Sequence, residues 1–304
     1  MPELPEVETV RAGLAKSITG ATIKDVVIHD ARSLKRHLSG VADFTNKLVG
    51  KRVLDVVRRG KFLWLPLSGE ASALVGHLGM SGQMLIRTKD HPEDKLNRVT
   101  INFDSKSKRG LELRFVDQRI FGSLAIDPLV KTPDGLQGGF SAGKNRNQPW
   151  QNLISQSAAH IARDPLDELF DEELVIAKMR AKKTSIKRAL LDQNLVSGIG
   201  NIYADESLWL AKLHFDRQAD GISKAKLKQL MVIARDVLER ATKQGGTSFD
   251  QQYKNVNGEA GYFSQQLFAY GQTDKPCARC QTPIRRQAWA NRGSHFCPRC
   301  QRPS

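Results

Sequence analysis

The chain has 304 residues, 40% of them hydrophobic and 26% charged, a soluble globular balance with room for two domains, or one larger domain and an appendage. No run of about 18 apolar residues is present, which excludes a membrane-spanning helix. Lys and Arg outnumber Asp and Glu by 47 to 32, giving a net charge of +15 and pointing to a polyanionic partner or, more plainly, to a solvated basic surface.

The chain opens "MPELPEVETV". Pro5 suits a first helical turn, Glu6 and Glu8 favour its positive end, and Val7, Val10, Leu14 and Ile18 recur at helical spacing. With three acids and no apolar run, these ten residues are unlike a secretion signal, so a cytoplasmic or nucleoid location is expected. From Thr22 to about Asp127 the pattern is mostly strand: "IKDVVIHD", "KRVLDVVRRGKFLWLPL", "SALVGHLG", "GQMLIRT", "RVTINFD" and "LELRFVD" predict an antiparallel sandwich or barrel on which the leading helix packs. The stretch "KTPDGLQGGFSAGKNRNQPWQN" is crowded with Gly, Pro, Asn and Gln and reads as a linker or long loop. Beyond it the period is helical, with "DPLDELFDEELVIAKMR", "SIKRALLDQ", "NIYADESLWLAKL" and "SKAKLKQLMVIARDVLERATKQ" as four helices. The expected division is 1–130, a linker 131–160, a helical domain 161–250 and a terminal segment 251–304.

All four cysteines fall in the terminal segment, as Cys277-x2-Cys280 and Cys297-x2-Cys300. Two thiolate knuckles at this spacing make a closed tetrahedral site for one structural zinc ion. The alternative, two disulfides, does not suit a reducing compartment. The residues between the knuckles predict a β-hairpin whose tip carries Arg292, either an exposed charge or a phosphate clamp held by the metal. Basic residues cluster twice without acids, at Lys178, Arg180, Lys182, Lys183, Lys187 and Arg188, and again from Lys275 onward. Two cationic surfaces suit a nucleic-acid backbone gripped from two sides.

"PELPEVE", "RRGKFLWL", "HLGMSG", "DQRIFG", "SGIGNIYADESL", "GGT", "GYF" and the four-cysteine finger, in this order along nearly the whole chain, resemble the formamidopyrimidine-DNA glycosylases. The resemblance implies a multidomain α+β protein: an N-terminal β-sandwich with a leading helix, a helix-two-turns-helix domain and a C-terminal zinc finger, acting as a monomer on duplex DNA that contains oxidised bases or abasic sites. It implies that the lesion is turned out of the helix. It also implies that Pro2, freed of Met1, is the nucleophile of a glycosylase and abasic-site lyase. An α-amino group of pKa about 7.7–8 is partly unprotonated near neutral pH, unlike lysine. Glu3 is then the proton-transfer group and Lys61 a catalytic and phosphate-contacting lysine.

The same resemblance assigns His77, Lys187, Asn201 and Arg292 to DNA contacts, with Asn201 also expected to cap its helix. Met80 and Phe121 become a wedge filling the gap left by the flipped nucleotide, and Arg119 reads the orphaned cytosine. By burial statistics alone Met80 and Phe121 would be core residues. Two departures stand out: Ile120 occupies a position where many relatives carry a second Arg, and the linker is longer than expected. "DQQYKNVNGEAGYF" at 250–263 matches the loop that closes over the everted base, and "PELPE" rather than "PEGPE" favours oxidised purines. The rivals are an endonuclease VIII-like enzyme for oxidised pyrimidines and a DNA-binding protein without catalysis.

Overall fold

The computed structural model describes residues 2–104, 110–141, 147–247, 256–257 and 266–303, and the chain divides into two compact units. The first comprises residues 1–160 and 247–261, the second residues 161–246 and 262–304.

In the first unit, helix α1 (Leu4–Ile18) buries the expected stripe of Val7, Val10, Leu14 and Ile18. Strand β1 (Thr22–Ile28) and a helix absent from the sequence reading, α2 (Gly40–Leu48), follow. Phe44 and Leu48 anchor α2 in the core while its other residues remain polar or half-exposed. Seven strands come next: β2 (Val57–Arg59), β3 (Phe62–Pro66), β4 (Ser72–His77), β5 (Gly82–Thr88), β6 (Asn97–Asp104), β7 (Leu111–Asp117) and β8 (Ser123–Lys131). An eighth, β9 (Leu153–Ser155), arises inside the expected linker and pairs with β8.

All pairings are antiparallel, in one sheet of order β1-β6-β7-β5 and another of order β2-β3-β4-β8-β9. Leu63, Leu65 and Leu74 from the second sheet meet Val99, Ile101, Leu113 and Phe115 from the first, with α1 closing the same core. Antiparallel strands with one inward face explain the alternating sequence pattern. Much of the expected linker lies on this sandwich: Phe140 exchanges backbone hydrogen bonds with Arg58, and Gly138 N–H donates to the Gln151 carbonyl at 2.7 Å. A Cβ on Gly138 would lie 1.9 Å from the Leu153 carbonyl oxygen, so this close approach requires glycine.

The second unit contains α3 (Glu172–Arg180), α4 (Ile186–Leu191), α5 (Asn201–Leu210) and α6 (Lys224–Lys243), then the hairpin β10 (Arg285–Trp289) and β11 (Arg292–Phe296). The Asp171 side chain caps α3 and Ser223 caps α6. Helix α3 starts eight residues later than the sequence pattern suggests, because Asp164 and Asp167 hold the preceding segment in turns through their backbone-directed carboxylates. No helix among the described residues is long and apolar enough to cross a membrane.

Candidate active site and nucleic-acid interface

Every glutamate of the opening stretch is engaged. Glu3 is the N-cap of α1 and is buried; its N–H donates to Glu6 Oε2 at 2.8 Å. The other oxygen of Glu6 accepts from Thr247 N and Oγ1 at 2.7 and 3.0 Å, so one carboxylate holds Glu3 and Thr247 together. Glu8 accepts from Arg11 and from Arg58 Nε, the latter at 2.9 Å, and the Phe140 ring lies against both guanidiniums. Pro2 is buried at the start of this construction. The i, i+3 spacing of Glu3 and Glu6 is a capping-box signal, but nothing local announces Thr247.

Lys61 lies at the tip of the β2–β3 hairpin, where Gly60 adopts a φ of 56° to complete a two-residue connection. The hairpin thus presents a half-buried lysine at a defined point of a strand that packs on α1. His77 ends β4, edge-on to Phe62. Burial, assisted by the nearby Arg36 and Lys35 charges, pushes its imidazole down to about 4, so it is neutral at physiological pH.

Met80, Arg119 and Phe121 share a structural logic. The fully buried Asp117 carboxylate accepts from Ser81 Oγ at 2.5 Å, Arg119 N–H at 3.1 Å and Gly122 N–H at 2.7 Å, which shapes the 117–122 turn around one anion. Gly79, at φ 59°, fits against this turn: a Cβ there would lie 2.6 Å from Gly122 N and Phe121 C. Met80 and Phe121 therefore project from two interlocked turns, 42% and 50% exposed, and they do not join the core. Arg119 is exposed beside them. Ile120 sits in the left-handed region at φ 56°, unusual for a β-branched residue, and its carbonyl accepts from Lys35 Nζ at 2.6 Å.

In the second unit, Lys187 is not an exposed cation. It is completely buried, 2.6 Å from Asp205 Oδ1, and it also donates to Ser294 Oγ at 2.8 Å and Gly293 O at 3.3 Å. Asp205, 1% exposed, accepts in addition from His295 N–H at 2.9 Å. Asn201 does not cap α5, whose N-cap is Gly200; its Nδ2 donates instead to Gly293 O at 3.0 Å. Both residues therefore hold the hairpin next to Arg292, which is itself exposed at the first position of β11. Glu206, adjacent on α5, accepts three backbone N–H groups from Phe268, Ala269 and Tyr270 at 2.8–3.0 Å. Burial raises its carboxyl above the usual range, opposed by those donors. Sequence reasoning did not single out Asp205 or Glu206: a buried acid in a helix has no signature until its partners are known, and these include backbone N–H groups 62 to 90 residues away.

The four cysteine Sγ atoms lie within 4.8 Å of one another, with Cys277 and Cys297 buried. Tetrahedral zinc with Zn–S near 2.3 Å requires S···S separations of about 3.8 Å, so the cluster fits the ion and leaves no open position. Gln301 ties the knuckle to the helices by accepting from Cys297 N–H and donating to the Leu213 carbonyl. Of the 250–263 loop only Val256 and Asn257 are described; its other residues, like Met1, lie outside the described set.

Family models match three successive regions: the formamidopyrimidine-DNA glycosylase N-terminal domain at residues 1–124, the H2TH domain of the same family at 161–252, and a zinc finger found in FPG and IleRS at 274–303. The formamidopyrimidine-DNA glycosylase of Leifsonia xyli subsp. xyli is 50% identical over 303 residues, covering 99% of this chain and 100% of that protein. The chain belongs to the formamidopyrimidine-DNA glycosylase family. A second relative of that description, from Rhodococcus jostii, is also 50% identical, covering 99% of this chain and 96% of its own. Among solved structures, Lactococcus lactis Fpg in complex with DNA containing an abasic site matches with a TM-score of 0.79 and 33% identity, covering 99% of this chain and 100% of that one. MutM in complex with DNA containing carbocyclic 8-oxo-G matches equally well, at 34% identity. The four cysteines of this chain accordingly hold one structural zinc ion.

Proposed function

We propose that this chain removes oxidised purines, 8-oxoguanine and formamidopyrimidines, from duplex DNA and then cleaves the strand at the resulting abasic site. Membership of the family, and the DNA lesions bound by its solved relatives, support the substrate class. The observation that carries the mechanism is the construction at the terminus: Pro2 buried beside Glu3, whose backbone Glu6 holds while also gripping Thr247.

Once Met1 is removed, the Pro2 secondary amine attacks the sugar C1′ as the bond to the base breaks. A secondary amine yields an iminium ion that carries its positive charge without any N–H to lose. That charge acidifies the C2′ proton, whose removal expels the 3′ oxygen; a second elimination expels the 5′ oxygen. Glu3 moves the protons to and from the sugar. Lys61 and Asn201 contact phosphates, as does Arg292, with the hairpin under Arg292 held by zinc on one side and by Lys187 and Asn201 on the other. His77 meets the backbone as a neutral donor. Met80 and Phe121 enter the base stack, and Arg119 pairs with the orphaned cytosine. The enzyme works as a monomer in the bacterial cytoplasm, on the nucleoid.

The test is single-turnover excision from matched duplexes carrying 8-oxoguanine or thymine glycol, with borohydride trapping of the covalent complex. The reading requires trapping and faster release of 8-oxoguanine. Faster release of thymine glycol would reassign the enzyme to oxidised pyrimidines, and DNA binding without trapping would remove the catalytic reading.

A further inference from the structure

A cavity of about 500 Å³ opens between the segment leading into α4, α4 itself and the zinc-finger hairpin. It is large enough for a phosphodiester with its neighbouring sugar, and four cations converge on it: Lys182, Lys183, Arg188 and Arg292. The one acid in its lining, Asp192, is already engaged by Lys182 at 2.5 Å. Lys183, Arg188 and Arg292 therefore face the cavity with no acid of the lining left to match them.

The hairpin is built to keep these charges together. Trp289 and Arg292 are the last facing pair of β10 and β11, so they share one face of the ribbon. The two residues between them, Ala290 and Asn291, both adopt left-handed φ values, 45° and 60°. This tight connection is sterically costly for alanine, a strain the fold maintains beside the cavity. The Trp289 indole donates to Asp216 Oδ1 at 3.2 Å, which fixes the ring. The Arg188 guanidinium then lies 5.7 Å from the ring centroid, held by a cation–π contact and with no acidic ion-pair partner among the described residues.

We propose that this cavity is a second phosphate-binding subsite, in which Lys183 and Arg188 grip the DNA backbone adjoining the phosphate held by Arg292, with Trp289 as the residue that positions Arg188. The inference rests on the reading of Arg292 as a phosphate contact. A phosphate oxyanion could also come from a free nucleotide. The lining favours the polymer: apart from its cations, the Thr184 hydroxyl and the engaged Asp192 it offers no polar side chain to enclose a base, and its cations are exposed, so recognition is by charge and by continuity with Arg292.

The experiment measures the salt dependence of affinity for a duplex with a central, uncleavable abasic analogue. Each phosphate contact contributes about 0.9 to the slope of log K against log salt. The Lys183→Gln, Arg188→Gln double variant is expected to flatten the slope by about two contacts, Arg292→Ala by about one, and the triple variant by about three. Trp289→Ala should flatten it by about one contact while Trp289→Phe, which retains a π face for Arg188, restores it. Zinc stoichiometry of one per chain in every variant separates these losses from an unfolded finger. A double variant with the wild-type slope overturns the subsite. So does binding of a deoxynucleoside monophosphate that the double variant abolishes while its DNA slope stays unchanged, since that assigns the cavity to free nucleotides. Borohydride trapping by the wild-type protein, measured in parallel, tests the glycosylase reading independently of either result.

Discussion

Replacing Asp205 by Asn leaves the Lys187 ammonium in the interior of the second unit without its counterion. Lys187 directs its three N–H groups at Asp205, Ser294 and Gly293, and neither Lys187 nor Asp205 is more than 1% exposed. Breaking a buried ion pair by removing one partner costs about 3–5 kcal/mol, because the remaining charge has been desolvated without compensation. With a urea slope of about 2 kcal/mol/M, the unfolding midpoint of the second unit should fall by roughly 1.5–2.5 M. Lys187→Met should cost less, about 1–3 kcal/mol, since the Asp205 carboxylate retains the His295 backbone donor at 2.9 Å. The double variant Lys187→Met, Asp205→Leu should recover much of the loss, as apolar replacements of buried pairs often do. The assay is urea denaturation of the zinc-loaded protein, followed by zinc release, which reports on the second unit alone. Single-variant losses under about 1 kcal/mol, or losses that simply add in the double variant, would refute the view that this pair is a buried latch under the Arg292 hairpin.

Four further outcomes follow from the same structure. Met80→Ala and Phe121→Ala, both at exposed positions, should change stability by less than about 1 kcal/mol yet slow excision tenfold or more, because the gap in the stack is then unfilled. Arg119→Ala should lose about 5- to 150-fold of the preference for cytosine over adenine opposite the lesion, equivalent to about 1–3 kcal/mol, whereas Ile120→Ala leaves the ratio unchanged; single-turnover excision from two duplexes decides it. Ile120→Gly, which relieves the left-handed strain, should stabilise the first unit by up to about 1 kcal/mol in the same urea assay. His77 stays neutral in the fold down to about pH 4, while the unfolded chain binds its proton near 6.5. Its contribution to stability is therefore present above about 6.5 and lost as pH falls toward 4, so His77→Phe should flatten the pH dependence of the urea midpoint in that window.

The parts of the fold that were legible in the sequence are those set by local period. The stripe Val7, Val10, Leu14 and Ile18 is buried as its spacing requires, and the alternating segments form two antiparallel sheets. Helix α2 was hidden because only Phe44 and Leu48 mark its buried side, too few for a clear period. β9 escaped notice because its three residues, directly after a Gly- and Asn-rich stretch, are too few to show alternation; their pairing with β8 is a tertiary event. The same distinction holds at the candidate site. Cysteine spacing announces a metal, whereas the burial of Lys187 depends on Asp205, Ser294 and Gly293, none near it in sequence. Sequence abundance of basic residues around Lys187 suggested an exposed face, and for Lys183 and Arg188 that is so. Burial statistics pointed the other way for Met80 and Phe121, whose exposure comes from the interlocked turns at Gly79 and Asp117.

The central claim is that the Pro2 nitrogen forms the covalent link to DNA, and its most direct test is to locate that link. Enzyme trapped by borohydride on an 8-oxoguanine duplex should be digested with nuclease and protease and the modified peptide sequenced by mass spectrometry. The account predicts a reduced sugar remnant on the nitrogen of Pro2, in a peptide that begins at Pro2 with Met1 absent. A remnant on Lys61 or another lysine, or a trapped peptide that retains Met1, would contradict it.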